Sequence, residues 1–356
     1  MEKKLVICPG KEWLDTEGKR IQAHGGSIHF ENGTFYWYGE NKEKTVPGNG
    51  ILQWGVRCYS SKDLCQWKDE GLLIPPDTEN EEALLHPSSK AERPHIIYNE
   101  KTEKYVCWIK VIRGQEQIAL VLTADSFFGP YEIIKNGFKP LDMYMGDFDL
   151  IKAADGHAYL VFEKPHTDLI CAKLTGDYVD VTGDFTVVAT HKQPPFVREA
   201  PAYFHYEGRH YLFTSGTTGY HPNPSEVAQA EEILGEWKVL GDVHPEDGSR
   251  TSYNSQICSV FKHPYKRNLY IALADRWMPY LRDLNPEKYD SGKTYEDIKN
   301  NFLWSHSGDT ELQKKVNWTV PAPNTSLSDY VWLPISFANG IPRLYWREEW
   351  SVDEFD

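Results

Sequence analysis

Residues 196–220 read Phe196-Val-Arg-Glu-Ala-Pro-Ala-Tyr-Phe-His-Tyr-Glu-Gly-Arg-His-Tyr-Leu-Phe-Thr-Ser-Gly-Thr-Thr-Gly-Tyr220. A strand over Ala202–Tyr206 turns at Glu207-Gly208-Arg209 into a second over His210–Ser215, and a polar loop, Gly216–Tyr220, follows. Apolar and aromatic residues flanking a Gly-containing polar turn are the signature of a β-hairpin. Glu199 stands just before the first strand, where a carboxylate on a rigid support can serve as a catalytic acid. Alone, it reads more simply as a partner for Arg198 or solvent. Recurrence of the unit changes that balance.

The same strand–turn–strand pattern occurs at Ile28–Glu40, Ile96–Trp108, Leu150–Phe162 and Val260–Ala272. The markers Ile28, Ile96, Ile151, Phe204 and Phe261 are spaced by 68, 55, 53 and 57 residues. Shorter units ending in an aromatic follow most of them: Ser61–Trp67, Asp125–Tyr131 and Glu231–Trp237. Helical periodicity over Ser225–Leu234 is overruled by its alignment with Gln117–Ser126, which makes it strand plus turn. Five such repeats, each of two hairpins, predict an all-β, five-bladed β-propeller. No linker divides the chain, so residues 1–356 are expected to form a single domain. A sixth hairpin-like stretch, Ile335–Trp346, is expected to close the ring with the N-terminus, a sixth blade being the alternative. Met278–Lys315, rich in Asp, Asn, Lys and Gly, reads as an insertion over one face.

Composition narrows the function classes. Twelve Trp, 21 Tyr and 15 Phe suit both strands and sugar stacking. A net charge of −14 argues against nucleic acid and against an anionic membrane surface as partners. No apolar run is long enough to span a membrane. The first ten residues carry too short an apolar stretch for a signal peptide, so the chain as it stands reads as cytoplasmic; prior removal of a leader would make it secreted or periplasmic. Six dispersed cysteines without a C-x-x-C pair read as reduced core thiols.

In a propeller, equivalent positions of the inner strands converge on one axial pocket. Besides Glu199, the polar residues that precede the repeated hairpins are Glu92, Asp147 and Gln256. Each taken singly is more simply a surface or structural residue, but four in register shift the balance toward a shared site. Carboxylates around an aromatic-rich pocket point to glycoside hydrolysis, in which an acid protonates the leaving oxygen and a second group activates water. A like charge nearby keeps the acid protonated near neutrality. Zinc, nucleotide and serine-hydrolase motifs are absent, and His24 and His29 would point to opposite faces. Neither a cofactor nor a metal is expected.

On Ala23-His24-Gly25-Gly26, Tyr36–Glu40, Glu92-Arg93-Pro94, Arg198-Glu199-Ala200-Pro201, Thr214–Gly219 and Asn254-Ser255-Gln256, nearly the whole chain resembles glycoside hydrolase family 43. The members are five-bladed propellers that cleave glycosides with inversion, and the resemblance is closest to the exo-β-1,3-galactanases. It implies Glu199 as general acid, Asp147 as the carboxylate that tunes and orients it, and Glu92 and Thr217 as sugar contacts. Glu40 and Tyr220 join the sugar contacts because they flank these motifs. Most of the family carries an Asp base in the first blade, where this chain has His24-Gly25-Gly26. The galactanase subgroup lacks it too, and there the residue matching Gln256 is proposed to act, as an imidic acid or by positioning water.

The implied activity is release of galactose from an oligo- or polysaccharide, the β-1,3-galactan backbone of arabinogalactan. Inversion would set acid and water-activating group about 6.5–9.5 Å apart. An α-L-arabinofuranosidase or β-D-galactofuranosidase of the same fold is the enzymatic alternative. A carbohydrate-binding propeller without catalysis is the alternative from another class.

Overall fold

Asn32-Gly33 and Glu207-Gly208 occupy the tips of two of the recurrent hairpins with positive φ at both residues, 50° and 73° in the first and 47° and 77° in the second. That geometry matches the twist of the flanking strands and leaves a two-residue connection. The computed structural model describes residues 5–190, 193–316 and 322–356. Met1–Lys4, part of the stretch read for a leader, lie outside the described residues.

Each hairpin opens an antiparallel sheet whose strands follow in chain order. Blade one comprises β1 (His24–Glu31), β2 (Thr34–Glu40), β3 (Val56–Ser61) and β4 (Lys68–Ile74). Blade two comprises β5 (Lys90–Asn99), β6 (Lys104–Arg113), β7 (Glu116–Ala124) and β8 (Glu132–Phe138). Blade three has β9 (Phe148–Lys152), β10 (Ala158–Lys164), β11 (Asp168–Leu174) and β12 (Val181–Thr190). Blade four has β13 (Arg198–Tyr206), β14 (Arg209–Gly216), β15 (Glu226–Ala230) and β16 (Lys238–Asp242). Blade five has three strands, β17 (Gln256–Lys262), β18 (Tyr270–Arg276) and β19 (Asp329–Pro334). The five-bladed β-propeller is therefore as expected, and Ser225–Leu234 is strand plus turn.

Neighbouring blades bury their apolar faces against each other. Tyr38, Cys58, Cys107 and Leu120 pack between blades one and two, and Trp108, Phe148, Leu160 and Phe162 between two and three. Ile151, Val161, Leu212 and Ala228 fill the next interface, then Phe204, Phe213, Ile257 and Ala272. Trp37, Trp67, Leu273 and Trp332 complete the ring between blades five and one. The six cysteines are free, four of them buried in these interfaces.

Ring closure differs from the expectation. Ile335–Trp346 contains a short hairpin, β20 (Ser336–Ala338) and β21 (Ile341–Arg343), that among the described residues forms no sixth blade and does not pair with the N-terminal segment. Phe337 stacks on Tyr206 with ring centroids 3.6 Å apart, and Leu344 N–H donates to Val243 O, so the hairpin seals the junction of blades four and five. The N-terminus is instead held by Ile7, which exchanges both backbone hydrogen bonds with Trp350, and by Gly10 N–H donating to Tyr330 O on β19. A hairpin's local sequence sets its turn but not its partner sheet.

The insertion between β18 and β19 is helical: α1 (Leu281–Leu284), α2 (Pro286–Asp290), α3 (Lys293–Ser307) and α4 (Thr310–Gln313). Among the described residues, no helix is long and apolar enough to cross a membrane.

Trp350 is fully buried and its indole N–H donates to Trp332 O at 2.8 Å. Trp350→Ala removes that side chain at the closure and is expected to cost about 3–5 kcal/mol. Urea unfolding should show the loss as a lowered midpoint.

Candidate active site

Inner strands of a propeller must aim polar side chains at the axis without breaking the blade, and here three of them do so with a bulge. The register of β1 slips between His24 and Ser27, that of β5 between Glu92 and His95, and that of β13 between Glu199 and Ala202. Each bulge holds one residue at positive φ: Gly25 at 60°, Arg93 at 52° and Ala200 at 50°. The extra residue re-aims the side chains beside it. His24, Glu92 and Glu199 thereby occupy equivalent places in blades one, two and four. Gln256 opens β17, and Asp147 immediately precedes β9.

The second strands supply a matching tier. Glu40 pairs with His24, Lys110 with Glu92, Ser215 with Glu199 and Asp275 with Gln256. In blade three Glu163 N–H donates to Asp147 O at 2.8 Å. All seven residues expected at the site (Glu40, Glu92, Asp147, Glu199, Thr217, Tyr220 and Gln256) line one cavity of about 320 Å³.

Buried carboxylates are tolerated only when paired or protonated. Asp147 meets Arg93 Nε at 2.8 Å and Lys110 Nζ at 2.8 Å. Lys110 also reaches Glu92 at 3.0 Å, whose other oxygen accepts the Tyr220 hydroxyl at 2.9 Å. Glu40 sits 2.8 Å from the buried Lys42 ammonium and accepts Arg93 N–H at 2.8 Å. Among the described residues, no lysine or arginine pairs with Glu199. Its Oε1 accepts instead from Gln256 Nε2 at 3.2 Å.

The proton affinities follow. Burial, then the negative charges of Asp147 and Glu163, push the Glu199 carboxyl well above the usual carboxylate range. Burial pushes Asp147 upward too, but Arg93 and Lys110 outweigh it and hold the group below its ordinary value. For Glu92, burial is outweighed by Lys110, Lys42 and Lys90, and the carboxyl is held far down. Burial raises Glu40 despite Lys42. A carboxyl with raised proton affinity thus stands beside carboxyls with lowered ones, the division that general acid chemistry needs.

Gln256 is fully engaged. Arg93 Nη2 donates to its Oε1 at 2.9 Å and Trp277 Nε1 at 3.1 Å. Because both partners can only donate, the oxygen faces them and the NH₂ faces Ser215, at 2.9 Å, and Glu199. The wide separation expected between acid and water-activating group is therefore absent from this arrangement, where the amide touches the acid. Thr217 Oγ1 and Arg93 Nη1 are buried without a hydrogen-bond partner among the described residues, which suits contacts to sugar hydroxyls.

Sequence reasoning missed Arg93, Lys110, Trp277, Glu163, His166, Phe302 and His306, which also line the cavity. Extending the hairpin register across each turn would have found Lys110 and Glu163. His24 and His29 part as expected, His24 bonded to Asp275 of blade five and His29 stacked on Phe127 of blade two.

Fold and pocket together define a five-bladed propeller with a carboxylate-rich axial pocket, the layout of a glycoside hydrolase. The comparisons agree: the profile of Glycosyl hydrolases family 43 matches residues 21–276, and the chain belongs to that family of glycoside hydrolases. Similar solved structures include the family-43 β-1,3-galactosidase BT0265, with 30% identity over 99% of this chain and a TM-score of 0.79. This chain spans only 65% of BT0265. A second β-1,3-galactosidase, BT3683 with galactodeoxynojirimycin, shows 27% identity, a TM-score of 0.76 and coverage of 97% of this chain and 100% of that one. An exo-β-1,3-galactanase from Phanerochaete chrysosporium, solved with β-1,3-galactotriose, shows 26% identity, a TM-score of 0.75 and coverage of 98% and 68%. Among curated proteins, none matches the chain in sequence.

Lys110→Met leaves Glu92 and Asp147 without the ammonium between them and is expected to cost about 3–5 kcal/mol at pH 7. Both carboxyls have lowered pKa values in the folded wild type, so their stabilisation is present above the ordinary carboxylate range and lost as pH falls below it. In the variant Asp147 keeps Arg93, but Glu92 loses its direct cation and takes up a proton near or above about pH 4, where the penalty for burying it as an anion disappears. The gap between wild-type and variant urea midpoints should narrow as pH is lowered through that range.

Proposed function

We propose that the chain, acting as one catalytic domain over residues 1–356, is an inverting, exo-acting hydrolase that releases galactose from β-1,3-galactan. The observation that carries this reading is the pairing at the axis: among the described residues Glu199 meets an amide and no lysine or arginine, next to Asp147, which is held by Arg93 and Lys110. Glu199 protonates the departing glycosidic oxygen, and Asp147 holds the acid's proton affinity up by its charge. Glu40, Glu92, Thr217 and Tyr220 contact the terminal sugar. A cavity near the lower end of ligand-pocket volumes, about 300 Å³, suits one terminal residue better than a chain passing through. The activities of the similar structures supply the choice of galactose and of the β-1,3 linkage.

Gln256 fits positioning better than proton acceptance. As an imidic acid it would turn an O–H toward Arg93 and Trp277, two groups that can only donate. The amide form satisfies all four neighbours. For water to attack from the face opposite the acid, the contact between Gln256 and Glu199 has to open as sugar enters, and the amide then orients that water. The same saturated amide favours a second reading, sugar binding without turnover.

Product analysis on β-1,3-galactotriose by NMR separates the two. The expected first product is α-galactose, and Glu199→Gln should lower the rate at least about 10²-fold. Release of β-galactose would refute inversion. Binding without any product would leave the second reading standing. Asp147→Asn removes a charge that raises the acid's pKa, so the alkaline limb of its kcat/KM profile should move to lower pH.

A further inference from the structure

The helical insertion lies beyond the family-matched residues 21–276, yet it contributes directly to the pocket. Along α3, Tyr295, Ile298, Phe302 and His306 recur at helical spacing and share one face. Tyr295 and Ile298 are buried, and the Tyr295 ring carries the Arg250 guanidinium at 5.1 Å from its centroid, which anchors the first half of the helix. The second half continues the stripe over the cavity, where Phe302 and His306 are lining residues. His306 reaches blade three, its ring 6.2 Å from that of His166. His166 is fixed in turn by its backbone N–H donating to Glu163 at 2.9 Å.

These three rings occupy the mouth of the pocket and not its floor. Glu92, Arg93, Asp147, Gln256 and Trp277 are all buried, whereas Phe302 is half-buried and His306 is exposed. In an exo-acting enzyme the terminal sugar takes the floor and the remainder of the chain leaves through the mouth. An aromatic face beside two imidazole edges is suited to one pyranose ring, the phenyl group covering its C–H face and the imidazoles meeting its hydroxyls. The Nδ1 of His306 is held by Phe302 O at 2.8 Å and by Ser305 Oγ at 3.0 Å, which leaves Nε2 as the ring's other polar atom.

We propose that α3 and His166 build the subsite for the second galactose residue, the leaving group, with Phe302 and His306 as its specificity-determining contacts. This rests on the exo-galactanase reading above. It makes the insertion responsible for preferring a sugar over other leaving groups.

The test compares wild type with Phe302→Ala, His306→Ala and Phe302→Trp on β-1,3-galactotriose and on 4-nitrophenyl β-D-galactoside. Binding of a galactose-shaped iminosugar, galactodeoxynojirimycin, is measured by calorimetry alongside. Each alanine variant should lose about tenfold in kcat/KM on the triose, the scale of one aromatic or hydrogen-bonded contact. The aryl glycoside should lose less, iminosugar affinity should hold within about twofold, and Phe302→Trp should retain the triose activity. Equal losses on all three ligands would assign the rings to the terminal sugar and overturn the proposal. Unchanged triose kinetics in both alanine variants would overturn it as well. Wild-type protein that neither cleaves the triose nor binds the iminosugar would remove the galactanase reading itself, and the subsite with it.

Discussion

Charge compensation at the axis is the constraint on which the site depends. Several carboxyls converge there out of bulk water, and three of them have a cation of their own: Glu40 has Lys42, Glu92 has Lys110, and Asp147 has Arg93. Glu199 has an amide instead. Desolvation acts on all four, but only Glu199 lacks a full positive charge in direct contact to offset it, and its proton affinity is pushed well above the carboxylate range. Lys110 and Arg93 reverse the effect of burial at Glu92 and Asp147, whereas Lys42 offsets it only in part at Glu40. The arrangement also explains why Lys110 bridges two carboxylates: its position lets one cation stabilise two neighbours in adjacent blades.

The scaffold makes such pairing possible. Two tiers of residues face the axis, one from the first strand of each blade and one from the second, and hairpin register locks each member of one tier to a member of the other. Arg93 shows how tightly these tiers are knit. As the bulge residue of β5 it reaches Asp147 before blade three and Gln256 on blade five, and its own N–H is held by Glu40 of blade one.

The first tier was legible in the sequence because a recurrent hairpin marks where each inner strand starts, and the polar residue before it stands out. The second tier was not picked out, since Lys110 sits inside the apolar run Tyr105–Ile112 and looks there like an interruption of a strand. Arg93 was visible only as the middle of a motif, because its role depends on a bulge that sequence does not announce. For α3, composition gave an insertion, but nothing local says that Phe302 and His306 overhang a pocket built by other blades. Ile335–Trp346 shows its hairpin in the sequence but not its docking site, for the same reason: turns are local and docking partners are not.

Gly25 works as a keyhole for a neighbouring carboxylate. A β-carbon at this position would lie 2.3 Å from Glu40 Oε1, and φ is already positive there. Glu40 in its present place and any side chain at residue 25 therefore exclude one another. A substitution at Gly25 would turn the Glu40 carboxylate aside, and its contacts with the Lys42 ammonium and the Arg93 N–H would go with it. One missing methyl group in the first blade thus keeps the wiring of two blades in place.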